Sequence, residues 1–152
     1  MTLDNDVARL ARTRPFTLLP REAVQLLAFS CEKRRLSAGD PLFFAGEIGD
    51  AGYFVLSGAI VLTEDGAEPK SARRVGAGAL IGESALYAPI ARRVEARAAQ
   101  DALVIRVQRE TFRRVLAEFP EAAGKVRAAL TARMRQLVDG LDRARINSQA
   151  AS

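Results

Sequence analysis

GAGALIGESALYAPIARRVEARA, residues Gly76–Ala98, combines a glycine-flanked apolar run, one carboxylate at Glu83, a short helical patch and two adjacent arginines, Arg92 and Arg93. A helix start leaves backbone N–H groups without partners, and these groups attract anions. Gly82 allows close approach to the backbone because glycine has no Cβ. An arginine adds a permanent cation whose planar fork suits two phosphate oxygens. The segment therefore predicts a small anion-binding site.

The acid and the first arginine of this segment suit opposite ends of one ligand. Because like charges repel, Glu83 fits a neutral hydroxyl such as a ribose 2′-OH, whereas Arg92 fits a phosphate. Other interpretations stay open on these residues alone. Glu83 at a helix start can simply stabilise the helix dipole, an effect of about 0.3–1 kcal/mol. Arg92 and Arg93 can equally form a solvated edge.

The composition restricts the chemistry that the chain can perform. Its 152 residues fit one domain spanning residues 1–152. It has no histidine and one cysteine, Cys31, which argues against most zinc, haem and iron–sulfur sites and against Ser–His or Cys–His nucleophile pairs. We therefore expect no enzyme activity and no cofactor or metal. The lone cysteine fits a reducing cytoplasm, and the lack of a long apolar run predicts no membrane span.

The rest of the chain predicts a β-roll with helices at both ends. Short β-prone pieces alternate with Gly/Asp turns over about residues 31–108, as in a barrel or jelly-roll-like roll. Two short helices precede the roll, and helices follow it over about residues 109–146. The fold class is thus mainly β with flanking helices. The predicted strands are Pro41–Phe44, Tyr53–Leu56, Ala59–Thr63, Lys70–Val75, Ala79–Ile81, Arg92–Ala98 and Leu103–Val107.

The last predicted helix carries a continuous apolar stripe. Its apolar residues recur every three or four positions, at Val126, Leu130, Met134, Leu137 and Leu141. We expect the first part of this helix to cover the β-roll. Its later half can pair with a second copy, which predicts a homodimer.

Two sequence blocks resemble the cyclic nucleotide-binding domain family, which includes catabolite activator protein and the regulatory subunits of protein kinase A. The first is the glycine frame GDPLFFAGEIGDAGYFVLSG, residues Gly39–Gly58, and the second is GAGALIGESAL, residues Gly76–Leu86, which looks like the family's phosphate-binding cassette. The resemblance covers roughly Phe16 to Leu141. It implies a ligand-binding β-roll with N-terminal helices and a long C-terminal helix.

The resemblance assigns roles to individual residues. Glu83 takes the place of the ribose-binding glutamate and Arg92 that of the phosphate-binding arginine. The backbones of Gly82, Ser84 and Ala85 match positions that contact phosphate or ribose. Two further positions depart from the pattern. Arg93 stands where the family more often has Ala, Ser or Thr, and Leu137 falls where the final helix supplies a base-capping residue, with helix core or dimer seam as its other interpretation.

The resemblance implies a sensor that binds cAMP or cGMP, with cAMP favoured, and signals to an unidentified effector by repositioning its C-terminal helix. The alternative is a degenerate regulator that acts as a dimerisation or interaction module without nucleotide. DNA binding is not expected: the net charge of +5 is spread over the chain, and the eleven residues after Leu141 are too few for a helix-turn-helix.

Overall fold

The computed structural model describes residues 2–64 and 71–151, with side chains described except at positions 2, 142 and 145–151. Glycine and aspartate turns divide the middle of this described chain into short strands, and helices lie before and after them. The helices are α1 (Thr2–Leu10), α2 (Arg21–Ser30), α3 (Arg109–Glu118) and α4 (Pro120–Ala151), with short 3₁₀ helices at Phe16–Leu18 and Glu83–Leu86. The strands are β1 (Glu32–Leu36), β2 (Pro41–Phe43), β3 (Ala51–Ser57), β4 (Ala59–Glu64), β5 (Arg73–Gly76), β6 (Leu80–Ile81), β7 (Val94–Ala98) and β8 (Ala102–Gln108).

The strands form two four-stranded antiparallel sheets within the described residues. One sheet has the order β1-β8-β3-β6 and the other the order β2-β7-β4-β5. The inward-facing side chains of both sheets pack together, including Phe43, Val55, Ile60 and Val104. This arrangement confirms the predicted β-roll with flanking helices.

A second apolar core joins the helices to the outer face of the first sheet. Phe54 on β3 is fully buried there, because this strand is covered by the second sheet on one face and by helices on the other. Phe16 and Phe112 meet edge to face with their ring centroids 5.9 Å apart. The helices before and after the roll are therefore held against the same sheet.

Strand β1 was not among the predicted strands. Its sequence, EKRRL, has four exposed residues and one buried residue, Leu36. Pairing with β8 forms this strand, since every one of its residues has a partner in β8. A charged strand at a sheet edge has no apolar pattern to reveal it, although charges at edges protect against unwanted pairing. The predicted strand at Lys70–Val75 lies partly outside the described residues.

Helix α4 packs against the domain with its first turns only, mainly on α3 and the 3₁₀ helix Phe16–Leu18. Ala122 and Val126 are 3% exposed. Met134 and Leu137 are both 67% exposed, and Leu141 is 63% exposed. The apolar stripe therefore continues beyond the body of the domain, as the sequence predicted for its later half. Of the helices that the structure describes, none combines the length and hydropathy that crossing a bilayer requires.

Candidate functional site

A cavity of about 430 Å³ opens between the second sheet and the segment that leads into the 3₁₀ helix Glu83–Leu86. This volume lies in the range of small-molecule sites, roughly 300–1,000 Å³. Apolar side chains form its walls, among them Phe43, Leu62, Val75, Leu80 and Val94. Four residues predicted from the sequence lie on this one cavity: Gly82, Ser84, Arg92 and Arg93.

Arg92 is the buried cation of this cavity. Its side chain enters the roll just before β7, where its backbone exchanges hydrogen bonds with the Gly46–Glu47 turn: Arg92 N donates to Glu47 O at 2.7 Å and Gly46 N donates to Arg92 O at 2.8 Å. The residue is only 9% exposed. Nη2 donates to Ala51 O at 2.7 Å, and the guanidinium carbon lies 4.1 Å from the Phe43 ring centroid, a cation–π contact.

Two glycines make room for this guanidinium. A Cβ at Gly49 would lie 2.7 Å from Arg92 Cζ, and one at Gly82 would overlap with Arg92 Nη1. Gly82 also has φ +70°, a conformation that L side chains rarely adopt. The glycine frame and residues 82–86 are distant in sequence. Together they leave the space that the Arg92 guanidinium occupies.

The charge of Arg92 is incompletely satisfied. Within the described residues, Nη1 is buried and has no hydrogen-bond partner. Burial lowers the pKa of Arg92, because desolvation disfavours the charged form. Arginine nevertheless keeps its proton in proteins. A buried cation with a spare donor is therefore suited to an anion that reaches it through the cavity, and a phosphate provides the required acceptors.

Arg109 anchors the 3₁₀ helix beside the cavity through hydrogen bonds of its guanidinium. Arg109 Nη1 donates to Gly49 O at 2.9 Å and to Ala85 O at 3.0 Å. The N–H of Ala85 donates to Gly82 O at 3.1 Å, so in this arrangement it is already paired. Ser84, in contrast, is exposed and lines the cavity. Of the predicted backbone contacts, the structure thus places Gly82 and Ser84 on the cavity and Ala85 behind it.

Glu83 lies on the other side of this helix, facing α4. Arg133 Nη1 donates to Glu83 Oε2 at 3.1 Å and Nη2 donates to Oε1 at 3.3 Å. Tyr87 Oη donates to Glu83 Oε2 at 2.6 Å. Burial and this hydrogen bond raise the pKa of Tyr87, and the carboxylate raises that of Arg133. The structure therefore separates Glu83 from the Arg92 cavity, and both of its oxygens are already hydrogen-bonded.

Leu137 also lies away from the cavity. It is 67% exposed on α4 and is not among the described residues that line the site. In this structure it belongs to the exposed apolar stripe, so it is not part of a helix core within this chain, and its role in a dimer seam stays a prediction.

Sequence reasoning missed several residues that shape the site. Arg109 and Arg133 donate hydrogen bonds to residues that are far away in the sequence, so no local pattern identifies them. Arg73 lines the cavity from β5. Val75, two residues later on the same strand, also lines the cavity. This period-two spacing was the one sequence signal that Arg73 faces the cavity.

Comparisons with known proteins identify the family of the chain. The family described as cyclic nucleotide-binding domain matches residues 33–119, more than half of the chain. The cyclic AMP receptor protein of Thermus thermophilus is 30% identical over 120 residues, which cover 78% of this chain and 56% of that protein. The chain therefore spans little more than half the length of this relative.

Solved structures show the same fold. A cyclic nucleotide-binding-like protein from Brucella abortus is 36% identical with a TM-score of 0.68, and the match covers 75% of this chain and 99% of that one. The N-terminal domain of a transcriptional regulator from Streptomyces coelicolor is 28% identical with a TM-score of 0.77, covering 88% of this chain and 94% of that one. From the matched region and these similarities, the chain belongs to the cyclic nucleotide-binding domain family.

Proposed function

We propose that this chain is a non-enzymatic sensor module that binds a cyclic nucleotide, with the phosphate on Arg92. The observation that carries the proposal is the buried guanidinium, whose Nη1 has no partner within the described residues and which lies at a cavity of small-molecule size. Gly82 and Ser84 flank the phosphate position, and the apolar walls receive the sugar and base. The family membership supports this class of ligand.

The sequence favoured cAMP over cGMP, and the name of the Thermus relative supports cAMP as one ligand to assay. The base lies against the wall of the cavity, so the side chains of this wall determine which base is preferred. A cytoplasmic location fits a ligand of this class.

The contact between Glu83 and α4 suggests how binding repositions the C-terminal helix. Glu83 has both oxygens bound to Arg133 and one of them also to Tyr87. To accept a hydrogen bond from the ribose 2′-OH, as the resemblance implies, it must turn away from Arg133 towards the cavity. Binding then competes with the ion pair that holds α4, so the ligand favours a released helix. Such differential contacts are what a ligand needs to shift a conformational equilibrium.

The exposed part of α4 provides a surface through which a change in helix position reaches a partner. Met134, Leu137 and Leu141 form an apolar stripe that the domain itself does not cover. We include in the proposal a homodimer through this stripe, whose spacing fits helix pairing. An unidentified effector protein receives the change in helix position. The second candidate, a dimerisation module without nucleotide, is favoured by the same stripe and by the paired state of Glu83.

Isothermal titration of the whole chain with cAMP, cGMP and 5′-AMP tests the proposal. We expect binding of a cyclic nucleotide and weaker binding of 5′-AMP, whose phosphate carries a second charge and an open geometry. No binding of either cyclic nucleotide at millimolar concentration would overturn the proposal and leave the dimerisation module.

A further inference from the structure

A second cavity, the α4 cavity, lies between α4, residues 14–18 and the 3₁₀ helix Glu83–Leu86. Its volume is about 320 Å³, which lies in the range of small-molecule sites, roughly 300–1,000 Å³. Leu18, Val126 and Leu130 contribute apolar walls. Of the residues that the structure describes, none lines both this cavity and the Arg92 cavity. The two cavities are therefore separate and lie on different sides of one short helix.

Hydrogen-bond donors surround the one carboxylate of the α4 cavity. Arg14, Tyr87, Arg133 and Gln136 line it together with Glu83. Both terminal nitrogens of Arg133 donate to Glu83, at 3.1 and 3.3 Å, and Tyr87 Oη donates to it at 2.6 Å. Arginine keeps its proton in proteins, so two arginines face one negative charge here. The cavity therefore already binds a carboxylate, and this carboxylate belongs to the chain itself.

The proposed function removes this internal carboxylate from the α4 cavity. When Glu83 turns towards the ribose, Arg133 and the Tyr87 hydroxyl lose the acceptor that they share. Arg14 and Gln136 still line the cavity and offer further donors. An arginine fork binds a carboxylate with two parallel hydrogen bonds. A ligand carboxylate can thus take the vacated position, and an attached apolar group can be buried against the apolar walls.

We propose that the α4 cavity is an effector site for a small organic anion, a carboxylate on an apolar group, which replaces Glu83 on Arg133. This inference rests on the proposed function, in which Glu83 moves to the ribose. An anion that replaces Glu83 favours the state that binds cyclic nucleotide, so each ligand should raise the affinity for the other by the same factor. The competing explanation is a gap between α4 and the domain that only water fills.

NMR titration of the isotope-labelled whole chain with benzoate tests the site without any nucleotide. We expect shifts of the backbone amides around Arg14 and Arg133. Acetate lacks the apolar group and benzamide lacks the charge, so both should bind more weakly than benzoate. Glu83→Gln removes the charge of the internal competitor and should bind benzoate about three- to six-fold more tightly than the unmodified chain.

Arg133→Gln should lose most of the affinity for benzoate, because it removes the fork that holds the carboxylate. Arg135→Gln is the matched control, since this exposed arginine of α4 does not line the cavity, and it should bind benzoate normally. Circular dichroism should show each variant folded. Millimolar benzoate that causes no shifts around Arg14 and Arg133, or equal binding by Arg133→Gln and Arg135→Gln, would overturn the effector site and leave the proposed function intact.

The sign of the coupling separates the α4 cavity from the Arg92 cavity. Saturating benzoate in the α4 cavity should tighten cyclic nucleotide binding by up to about three- to six-fold, and Arg133→Gln should abolish this gain. Benzoate bound to Arg92 would instead compete with the phosphate. Weakened or unchanged nucleotide binding would therefore overturn the effector role. If no cyclic nucleotide binds, the proposed function and the coupling both fail, whereas benzoate binding that depends on Arg133 would still support the anion site.

Discussion

Removing Arg133 should strengthen cyclic nucleotide binding, although Arg133 lies outside the ligand cavity. Its guanidinium holds both oxygens of Glu83, at 3.1 and 3.3 Å. If Glu83 has to leave this ion pair before it binds ribose, the pair competes with the ligand. Arg133→Gln removes the competitor and keeps a polar side chain at the same exposed position of α4.

The size of this effect follows from the exposure of the pair. The Arg133 side chain is 60% exposed and that of Glu83 is 23% exposed. An exposed ion pair contributes up to about 1 kcal/mol, and a two-pronged arginine–carboxylate contact lies towards the upper end. At about 0.5–1 kcal/mol, the paired state is roughly two to five times more populated than the free state. The apparent dissociation constant then rises by about three- to six-fold.

Isothermal titration at low salt measures this gain. We expect Arg133→Gln to bind cyclic nucleotide about three- to six-fold more tightly than the unmodified chain, and the difference to shrink at high salt because the pair is screened. Arg135→Gln, an equal charge change at another exposed position of α4, should change affinity little. Unchanged or weaker binding by Arg133→Gln would refute the competition and show that Arg133 and the ligand do not compete for Glu83.

Three further predictions concern other parts of the domain. Gly49→Ala should lower the free energy of unfolding by about 1–3 kcal/mol in urea titrations and weaken binding, because its Cβ would lie 2.7 Å from Arg92 Cζ and 2.9 Å from Ala85 Cβ. Gly52→Ala is its control, with a nearest contact of 3.4 Å, and equal costs for the two variants would contradict this reasoning. Leu137→Glu should turn a dimer into a monomer in sedimentation experiments and leave nucleotide affinity unchanged; a loss of affinity instead would restore Leu137 as a base-capping residue. Burial, with a smaller effect of Glu32, raises the pKa of Cys31 from 9.0 to about 12, so the unfolded chain loses this proton first. The free energy of unfolding should fall as pH rises from about 9 to 12, and Cys31→Ala should show a smaller fall; identical pH profiles would contradict the assignment.

Local sequence signals were sufficient for much of the fold. Glycine and aspartate turns fixed the strand boundaries to within a few residues, and the apolar spacing on α4 identified both its packed and its exposed parts. Strand β1 escaped prediction because four of its five residues are exposed. Its pairing with β8 is a long-range contact that no local pattern encodes.

The site was predictable where one segment contains it. Gly82, Ser84 and Arg92 come from a single stretch, and the structure brings them to one cavity. The orientation of Glu83 depends on Arg133, fifty residues later on α4, so neither the charge argument nor the resemblance could show that its carboxylate faces away from the cavity. Arg73 was missed because the direction of a strand residue is known only once its pairing register is known.

The central claim is that Arg92 holds the phosphate of a cyclic nucleotide, and one titration series tests it most directly. The unmodified chain, Arg92→Gln and Arg93→Gln are titrated with cGMP and cAMP, with thermal unfolding as the check that each variant is folded. The account predicts that Arg92→Gln loses most of the affinity for both nucleotides, because it removes the buried cation, and that Arg93→Gln keeps most of it. Normal binding by folded Arg92→Gln, with the loss appearing in Arg93→Gln instead, would contradict the account.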